Sequence, residues 1–176
     1  MTMGRWLASA ALVLGLVAPA AAHDWNDGAI AWKSLDDGLA LAKKDHKPVC
    51  LIFYTEWCPH CANFSKVFHD PKVVETSKRL VMVRLDQDQN KDLAQKYQPD
   101  GGYIPRTLFL TPDGTLDADV HAPRDQYKYF YDEKDPASVL AGMDAALGAH
   151  AAKPGATAAA APKSDKHDKA DTDTKK

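Results

Sequence analysis

The sequence predicts an α/β sandwich in which helices flank a mixed central β-sheet. Segments whose apolar residues recur at helical spacing alternate along the chain with short, continuous apolar runs. The run over residues 49–54 is apolar throughout and partly β-branched, as in a central strand that is buried on both faces. The 176 residues suffice for about one domain, because domains hold roughly 100–200 residues.

The first half of the chain shows clear start and stop signals. Ser34 is a suitable N-cap for a helix over 34–44 whose leucines share one face, and the polar residues 45–47 end that helix before the strand 49–54. The elements expected next are a helix that starts at Cys58 and is interrupted by Asp70-Pro71, a short helix over 72–79, a strand over 80–85 and a helix over 91–97.

The second half is expected to close the sheet. A glycine-flexible turn over 101–105 leads into a strand over 107–110, and Pro112-Asp113-Gly114 predicts a hairpin turn with a returning strand over 116–120. A last helix over 136–147 carries its apolar residues on one side. The expected order is therefore α-β-α-β-α-β-β-α.

The ends of the chain are predicted not to belong to this domain. Residues 1–22 are typical of a secretory signal peptide, with Arg5 before an apolar stretch and small residues for cleavage near Ala22. An uncleaved anchor is the alternative, although the stretch is shorter than the about 20 apolar residues that a spanning helix needs. Residues 148–176 contain no aromatic or branched apolar side chain, which predicts a disordered Ala/Lys/Asp-rich tail after a folded domain over 23–147.

The charge balance and the expected cellular compartment exclude some classes of function. Lys and Arg number 22 against 24 Asp and Glu, so no basic field is present to bind nucleic acid. With a cleaved signal we expect a periplasmic or otherwise exported protein that is soluble and not integral to the membrane. In such a compartment disulfides can form. Three cysteines are too few for a disulfide-stapled miniprotein, so their placement matters more than their number.

The chemistry is expected at Cys58-Pro59-His60-Cys61. Cys58 would lie at the start of a helix, where unpaired N–H groups and the helix dipole favour a thiolate, so it is the expected nucleophile. Cys61 lies one turn further and is expected to resolve a mixed disulfide. Pro59 suits the first helical turn because the N–H that it lacks would have no partner there. His60, when protonated, would place a positive charge beside the Cys58 sulfur.

Two structural interpretations compete with redox chemistry. A C-x-x-C pair is also half of a zinc site, but no second pair of ligands at similar spacing is present. A purely structural disulfide over so short a loop would constrain the unfolded chain little. Redox chemistry is therefore the favoured interpretation, and no metal or cofactor is expected.

At this point the sequence resembles the thioredoxin superfamily over residues 29–147, with a strand, Trp-Cys-x-x-Cys, a helix and a later Ile-Pro before a predicted hairpin. Two sets of residues are similar to particular branches. Phe64, Phe68-His69-Asp70-Pro71 and Val74 resemble the C-terminal thioredoxin domain of the bacterial transmembrane thiol reductase. Residues 100–106, Tyr129-Phe130-Tyr131 and Asp135 resemble the anterior-gradient-type proteins of the endoplasmic reticulum more closely. The resemblance implies a thioredoxin-like three-layer sandwich, dithiol–disulfide exchange, and protein thiols and disulfides as substrates.

The same resemblance implies roles for residues outside the motif. Ile104-Pro105 matches the family's cis-proline loop, which lies against the active-site sulfurs and offers backbone pairing to an extended substrate. X-Pro bonds are where a cis peptide costs least. Trp57 matches the tryptophan beside the site, and a core aromatic is its alternative.

One position departs from the family pattern. Thioredoxins usually carry a buried Asp five residues before the tryptophan, where it assists proton transfer from the resolving cysteine, and this chain has Ile52. Glu56, Arg84 acting electrostatically, or water are the candidates for that task. A plain solvated charge is the alternative for Glu56.

The remaining cysteine and histidines are interpreted more simply. Cys50 is expected to behave as a small buried hydrophobe rather than to form a regulatory disulfide. His69 and His121 are expected at the surface. His23, as a mature N-terminus, would have an amine and a ring to chelate copper, which is the less favoured interpretation.

Three functions from different classes remain open. They are an exchange enzyme for secreted proteins, working as an oxidant or isomerase; a reductant that passes electrons from a membrane thiol reductase; and a non-enzymatic, chaperone-like binding module, against which the intact cysteine pair argues. The helix N-terminus and His60 favour the oxidising side, whereas Ile104 before the proline resembles the more reducing members. We expect a reduction potential of roughly −120 to −270 mV, nearer to about −180 mV.

Overall fold

The structure is a computed structural model that describes residues 23–150; the predicted signal peptide and residues 151–176 of the predicted tail lie outside the described residues. Eight helices and strands follow one another in it. They are α1 (Leu35–Asp45), β1 (Val49–Tyr54), α2 (Pro59–Val67), α3 (Pro71–Ser77), β2 (Val81–Asp86), α4 (Lys91–Lys96), β3 (Arg106–Leu110) and α5 (Pro136–Ala149).

The sheet of the described region is three-stranded and mixed, with the order β2-β1-β3. The central strand β1 pairs in parallel with β2 and antiparallel with β3, and its residues are buried except for the partly exposed Tyr54. Ile52 pairs with Arg84 on one side and with Thr107 on the other. The predicted central strand is therefore confirmed.

Alternate residues of β1 point to opposite faces, and each face supports its own apolar cluster. Cys50 and Ile52 pack with residues of α2, α3 and α5, whereas Leu51 and Phe53 pack with residues of α1 and α4. The three layers that result confirm the predicted mixed α/β sandwich.

Local sequence signals explain the element boundaries. Ser34 is the N-cap of α1, and its side chain accepts a hydrogen bond from the Asp37 backbone N–H at 3.2 Å. His46 ends the same helix in the left-handed conformation at φ 53°. Asp70 caps α3 by accepting from the backbone N–H groups of Lys72 and Val73. The predicted helices therefore begin and end within about two residues of the observed ones.

The predicted returning strand over 116–120 is wrong, although the hairpin turn before it is present. The Gly114 N–H donates to the Thr111 carbonyl at 2.9 Å, but the strand pairing is reduced to one isolated bridge between Leu110 and Leu116. The chain turns away because Asp117 caps a local turn with its carboxylate, accepting from the Asp119 N–H at 3.3 Å.

The domain extends slightly beyond the predicted boundary at residue 147. Helix α5 continues through Gly148 to Ala149, and the ring Nε2 of His150 lies 3.1 Å from a carboxylate oxygen of Asp117. This contact joins the end of α5 to the segment after the hairpin, so residues 148–150 pack with the described fold. Among residues 23–150, no helix is long and apolar enough to cross a membrane.

An aromatic cluster that the sequence analysis did not anticipate covers one end of the sheet. The Trp25 ring lies within 6.3 Å of the rings of Trp32, Tyr54, Phe64 and Phe68, measured between centroids. Trp25 itself is 1% exposed. Residues 23–33 are therefore an integral arm of the domain.

Candidate active site

Cys58 occupies the N-cap of α2, and Pro59 follows at the first helical position. The backbone of Cys58 is extended, with φ −83° and ψ 116°, and no side chain caps the helix there. The free N–H groups of the first turn therefore have no side-chain competitor for an anionic sulfur at Cys58. Cys58 is 4% exposed and Cys61 is fully buried, as expected for an outer and an inner cysteine.

The loop before β3 closes over the outer cysteine. The Ile104–Pro105 peptide bond is cis, and the Cys58 thiol lies 3.9 Å from the carbonyl oxygen of Ile104. Ile104 is half-buried and Pro105 is buried. The structure thus brings together the two segments that the sequence resemblance placed in one site.

Cys61 differs from Cys58 in its electrostatic surroundings. Burial raises the pKa of the Cys61 thiol, and the nearby Cys58 and Glu133 raise it further, while a backbone hydrogen bond at Thr55 opposes them. The inner cysteine is therefore held as a thiol near neutral pH. All three cysteines of the chain are free thiols in this structure.

Trp57 stands at the rim of the site. Its side chain is 69% exposed, and the indole N–H donates to a carboxylate oxygen of Asp88 at 2.7 Å. The alternative of a core aromatic is thereby excluded. An exposed, hydrogen-bonded indole next to Cys58 offers a flat apolar surface for contact.

His60 is held by a carboxylate that the sequence analysis missed. Its Nδ1 lies 2.6 Å from Oε2 of Glu133, and the Asn63 side-chain amide donates to Oε1 of the same carboxylate at 3.0 Å. Glu133 comes from the segment before α5, more than 70 residues after the motif. Its neighbours Tyr129-Phe130-Tyr131 were noted only for a family resemblance, and no local pattern identifies Glu133.

A groove of about 590 Å³ opens beside His60. Its lining mixes apolar and charged side chains, among them Phe130, Arg124 and Lys134. The Arg124 guanidinium lies over the Phe130 ring at 5.2 Å from its centroid. A surface that combines an aromatic ring with charged groups of both signs therefore lies beside His60.

Arg106 was also missed, and it supports the loop that faces Cys58. The side chain is fully buried and donates to the backbone carbonyls of Tyr103, Tyr97 and Ala94 at 2.6, 2.8 and 3.1 Å. Burial lowers the pKa of Arg106 below its usual value. The hydrogen bonds from this guanidinium to the backbone carbonyls fasten the Ile104-Pro105 loop to α4.

The residues considered in place of the missing buried Asp, Glu56 and Arg84, both have partners outside the cysteine pair. Ile52 is fully buried. Glu56 is half-buried and accepts from the His23 backbone N–H at 3.0 Å, so it is not a plain solvated charge. Arg84 pairs with Asp27 at 2.8 Å and lies against the Trp32 ring. The carboxylate whose charge acts on Cys61 is that of Glu133.

The remaining predictions concern residues outside the site. Cys50 is fully buried, and burial raises its pKa, which confirms a small hydrophobe. His69 is exposed, whereas His121 is half-buried, with its Nδ1 2.7 Å from the Ala122 carbonyl oxygen. Among residues 23–150 no three His, Cys, Asp or Glu side chains are grouped to hold a metal ion.

Comparisons with known proteins agree with this geometry. A family model described as thioredoxin-like matches residues 31–112. Anterior gradient protein 3 of Xenopus tropicalis is 31% identical over 127 residues, which cover 70% of this chain and 74% of that protein. The chain belongs to the thioredoxin-like family. Anterior gradient protein 2 homolog of Homo sapiens is 29% identical over 124 residues, covering 70% of this chain and 69% of that protein.

Solved structures show the same thioredoxin-like fold. A thioredoxin from Thermus thermophilus has a TM-score of 0.50 at 22% identity, covering 66% of this chain and 86% of its own. A structure described as DsbH oxidoreductase has a TM-score of 0.50 at 21% identity, and the match covers 79% of this chain and 95% of that chain. This thioredoxin-like chain carries both cysteines of the Cys58–Cys61 pair.

Proposed function

We propose that this protein exchanges disulfides with exported proteins and works as an oxidant or isomerase. The observation that carries the proposal is the placement of Cys58 at the N-cap of α2, with its thiol 3.9 Å from the Ile104 carbonyl and with Cys61 buried one turn further. The predicted signal peptide supports an exported, periplasmic site of action, where disulfides persist.

The exchange proceeds in two displacements at sulfur. A substrate thiolate attacks Sγ of Cys58 in the Cys58–Cys61 disulfide, the bond between the two cysteines breaks, and Cys61 leaves and takes up a proton. A second substrate thiolate then attacks the substrate sulfur of the mixed disulfide and releases Cys58 as a thiolate. Two electrons pass from the substrate to the cysteine pair, and the reverse sequence reduces a substrate disulfide.

The inequality of the two cysteines assigns their roles in this scheme. The N–H groups at the start of α2 stabilise a thiolate at Cys58, which is therefore the group that leaves and attacks most readily. The raised pKa of Cys61 keeps that sulfur protonated until it resolves a mixed disulfide. Proton transfer is consequently part of the resolving step.

The surface around Cys58 would receive an extended substrate segment. The exposed Trp57 indole lies on one side, and the groove that contains Phe130 and Arg124 lies beside His60. The Ile104 carbonyl and the following Pro105 provide a backbone edge next to the sulfur. Protein substrates, rather than small thiols alone, fit so broad and mixed a surface.

A reductant supplied by a membrane thiol reductase is the second candidate, and Glu133 is the observation that favours it. A negative charge near the cysteine pair disfavours thiolates and so stabilises the disulfide relative to the dithiol. Equilibration with glutathione distinguishes the two directions. A potential near about −180 mV supports the oxidant or isomerase, and a value near about −270 mV supports the reductant.

The proposed activity is tested with a reduced, unfolded protein substrate in a glutathione buffer. We expect the full chain to accelerate disulfide formation over the buffer alone and Cys58→Ser to abolish that acceleration. Cys50→Ala is the matched control, because Cys50 is buried in the core on β1. Activity that persists in Cys58→Ser, or a wild-type chain without any effect, would overturn the proposal and leave a non-enzymatic binding module.

A further inference from the structure

Glu133 connects the segment before α5 to the first turns of α2. One of its carboxylate oxygens meets Nδ1 of His60 at 2.6 Å, and the other accepts from the Asn63 amide at 3.0 Å. His60 lies between the two cysteines and Asn63 lies two residues after the second. A single acidic side chain therefore contacts α2 at residues before and after Cys61.

This carboxylate is shielded from water, whereas its histidine partner is not. The Glu133 side chain is 12% exposed and that of His60 is 60% exposed. A shielded charge is weakly screened, so Glu133 acts on nearby sulfurs more strongly than a surface carboxylate would.

The sign of this charge opposes that of the motif. A positive charge on His60 would favour a thiolate at Cys58, but the Glu133 carboxylate lies 2.6 Å from the His60 ring and would offset that charge. The same carboxylate raises the pKa of the Cys61 thiol. The four residues of the motif alone therefore predict a less negative reduction potential than the motif together with Glu133.

We propose that Glu133 is a positioning residue that sets the redox poise of the Cys58–Cys61 pair, by holding His60 and Asn63 and by cancelling the charge of His60. This inference rests on the proposed exchange function. It assigns to a residue outside the motif the balance between the disulfide and the dithiol.

The test is a double-mutant cycle over the His60–Glu133 pair in the full chain, with each potential measured by equilibration with glutathione. Glu133→Gln keeps the size of the side chain and the bond to Asn63 but removes the charge. We expect it to shift the equilibrium roughly tenfold toward the dithiol, which corresponds to a potential less negative by about 30 mV. His60→Ala should shift it in the opposite direction, because the charge of Glu133 is then uncompensated.

The double variant combines the two opposite changes. In the Glu133→Gln background, His60→Ala should make the potential more negative again, so that it lies between the potentials of the two single variants. Asp132→Asn is the matched control, since it removes an equal charge from the preceding residue, whose carboxylate accepts a hydrogen bond from the Lys134 backbone N–H. We expect no shift for that variant.

A potential that is unchanged or more negative in Glu133→Gln would overturn the inference. Should that variant fail to fold, His60→Ala still tests the pair from its exposed side, and an unchanged potential there would overturn it equally. If Cys58→Ser loses exchange but Glu133→Gln keeps the wild-type potential, the role of Glu133 is refuted and the proposed function stands. Persistence of exchange in Cys58→Ser would sink the proposed function itself.

Discussion

The thiol of Cys58 lies 3.9 Å from the carbonyl oxygen of Ile104, although 46 residues separate them in the chain. This contact joins the start of α2 to the loop before β3 and places a backbone acceptor next to the outer sulfur. Cys61 is one helical turn away and fully buried. The geometry therefore distinguishes an outer cysteine at the start of the helix from an inner cysteine that is fully buried.

Cys61→Ser should accumulate mixed disulfides through Cys58, because the sulfur that would release the substrate is gone. The measurement is a non-reducing gel of the protein after incubation with an oxidised substrate protein, in a Cys50→Ala background that leaves one thiol per variant. Cys58→Ser in the same background is the control. Stronger trapping by Cys58→Ser would reverse the assignment of the two roles.

Arg106→Lys should destabilise the fold and slow exchange. An ammonium group cannot reproduce the three carbonyl contacts of the guanidinium, and each buried acceptor left without a donor costs about 1–3 kcal/mol. We expect a loss of roughly 2–4 kcal/mol in urea unfolding. Arg124→Lys, at an exposed arginine with one carbonyl bond, should stay within about 0.5 kcal/mol of wild type. Equal losses in both variants would contradict the role of Arg106.

Two glycines of α5 should respond in opposite directions to alanine. A Cβ at Gly142 would come within 2.6 Å of the Tyr131 hydroxyl and 2.7 Å of the Phe109 ring, so Gly142→Ala should lose about 1–3 kcal/mol. Nothing lies within 4 Å of a Cβ at Gly148, so Gly148→Ala should gain up to about 1 kcal/mol from its better helix propensity. Thermal unfolding of both variants checks the pair, and a stable Gly142→Ala would show that α5 is not packed closely on β3.

Stability should fall as the pH rises above about 9. Burial raises the pKa of Cys50 and of Cys61 from the ordinary value of 9.0, so the folded state retains protons that the unfolded state releases. Each thiol makes its full contribution to the free energy of unfolding below its pKa in the unfolded state. Above that pKa the contribution falls by about 1.4 kcal/mol per pH unit. Urea unfolding between pH 8 and 10 should show this slope, and Cys50→Ala should reduce it. An identical slope in that variant would rule out Cys50 as a source.

Removal of residues 151–176 should leave the unfolding midpoint and the exchange rate nearly unchanged. The sequence of that segment contains no aromatic or branched apolar side chain that could bury a large surface on folding. A cut that also removes residues 148–150 should lower the midpoint, because it deletes the His150–Asp117 contact at 3.1 Å. A drop of several degrees after the shorter cut would contradict the prediction.

Local signals in the sequence sufficed for most of the fold and for the cysteine pair. Periodicity and capping residues predicted α1, β1 and α5 within about two residues, and the Trp-Cys-x-x-Cys spacing predicted that the cysteine pair lies at the start of a helix, as α2 shows. The returning strand at 116–120 failed because the carboxylate of Asp117 competes for backbone N–H groups, and hairpin propensity alone does not predict the outcome of that competition.

The side chains around the cysteine pair come together only in the tertiary structure. Glu133 reaches His60 across 73 residues, and the buried Arg106 binds the carbonyls of Ala94, Tyr97 and Tyr103. Neither contact leaves a periodic or spaced pattern in the chain, because each depends on where a loop returns rather than on which residues are neighbours. Residue type and spacing predict which cysteine starts the helix, whereas the charged groups around the cysteine pair come together only once distant segments have packed.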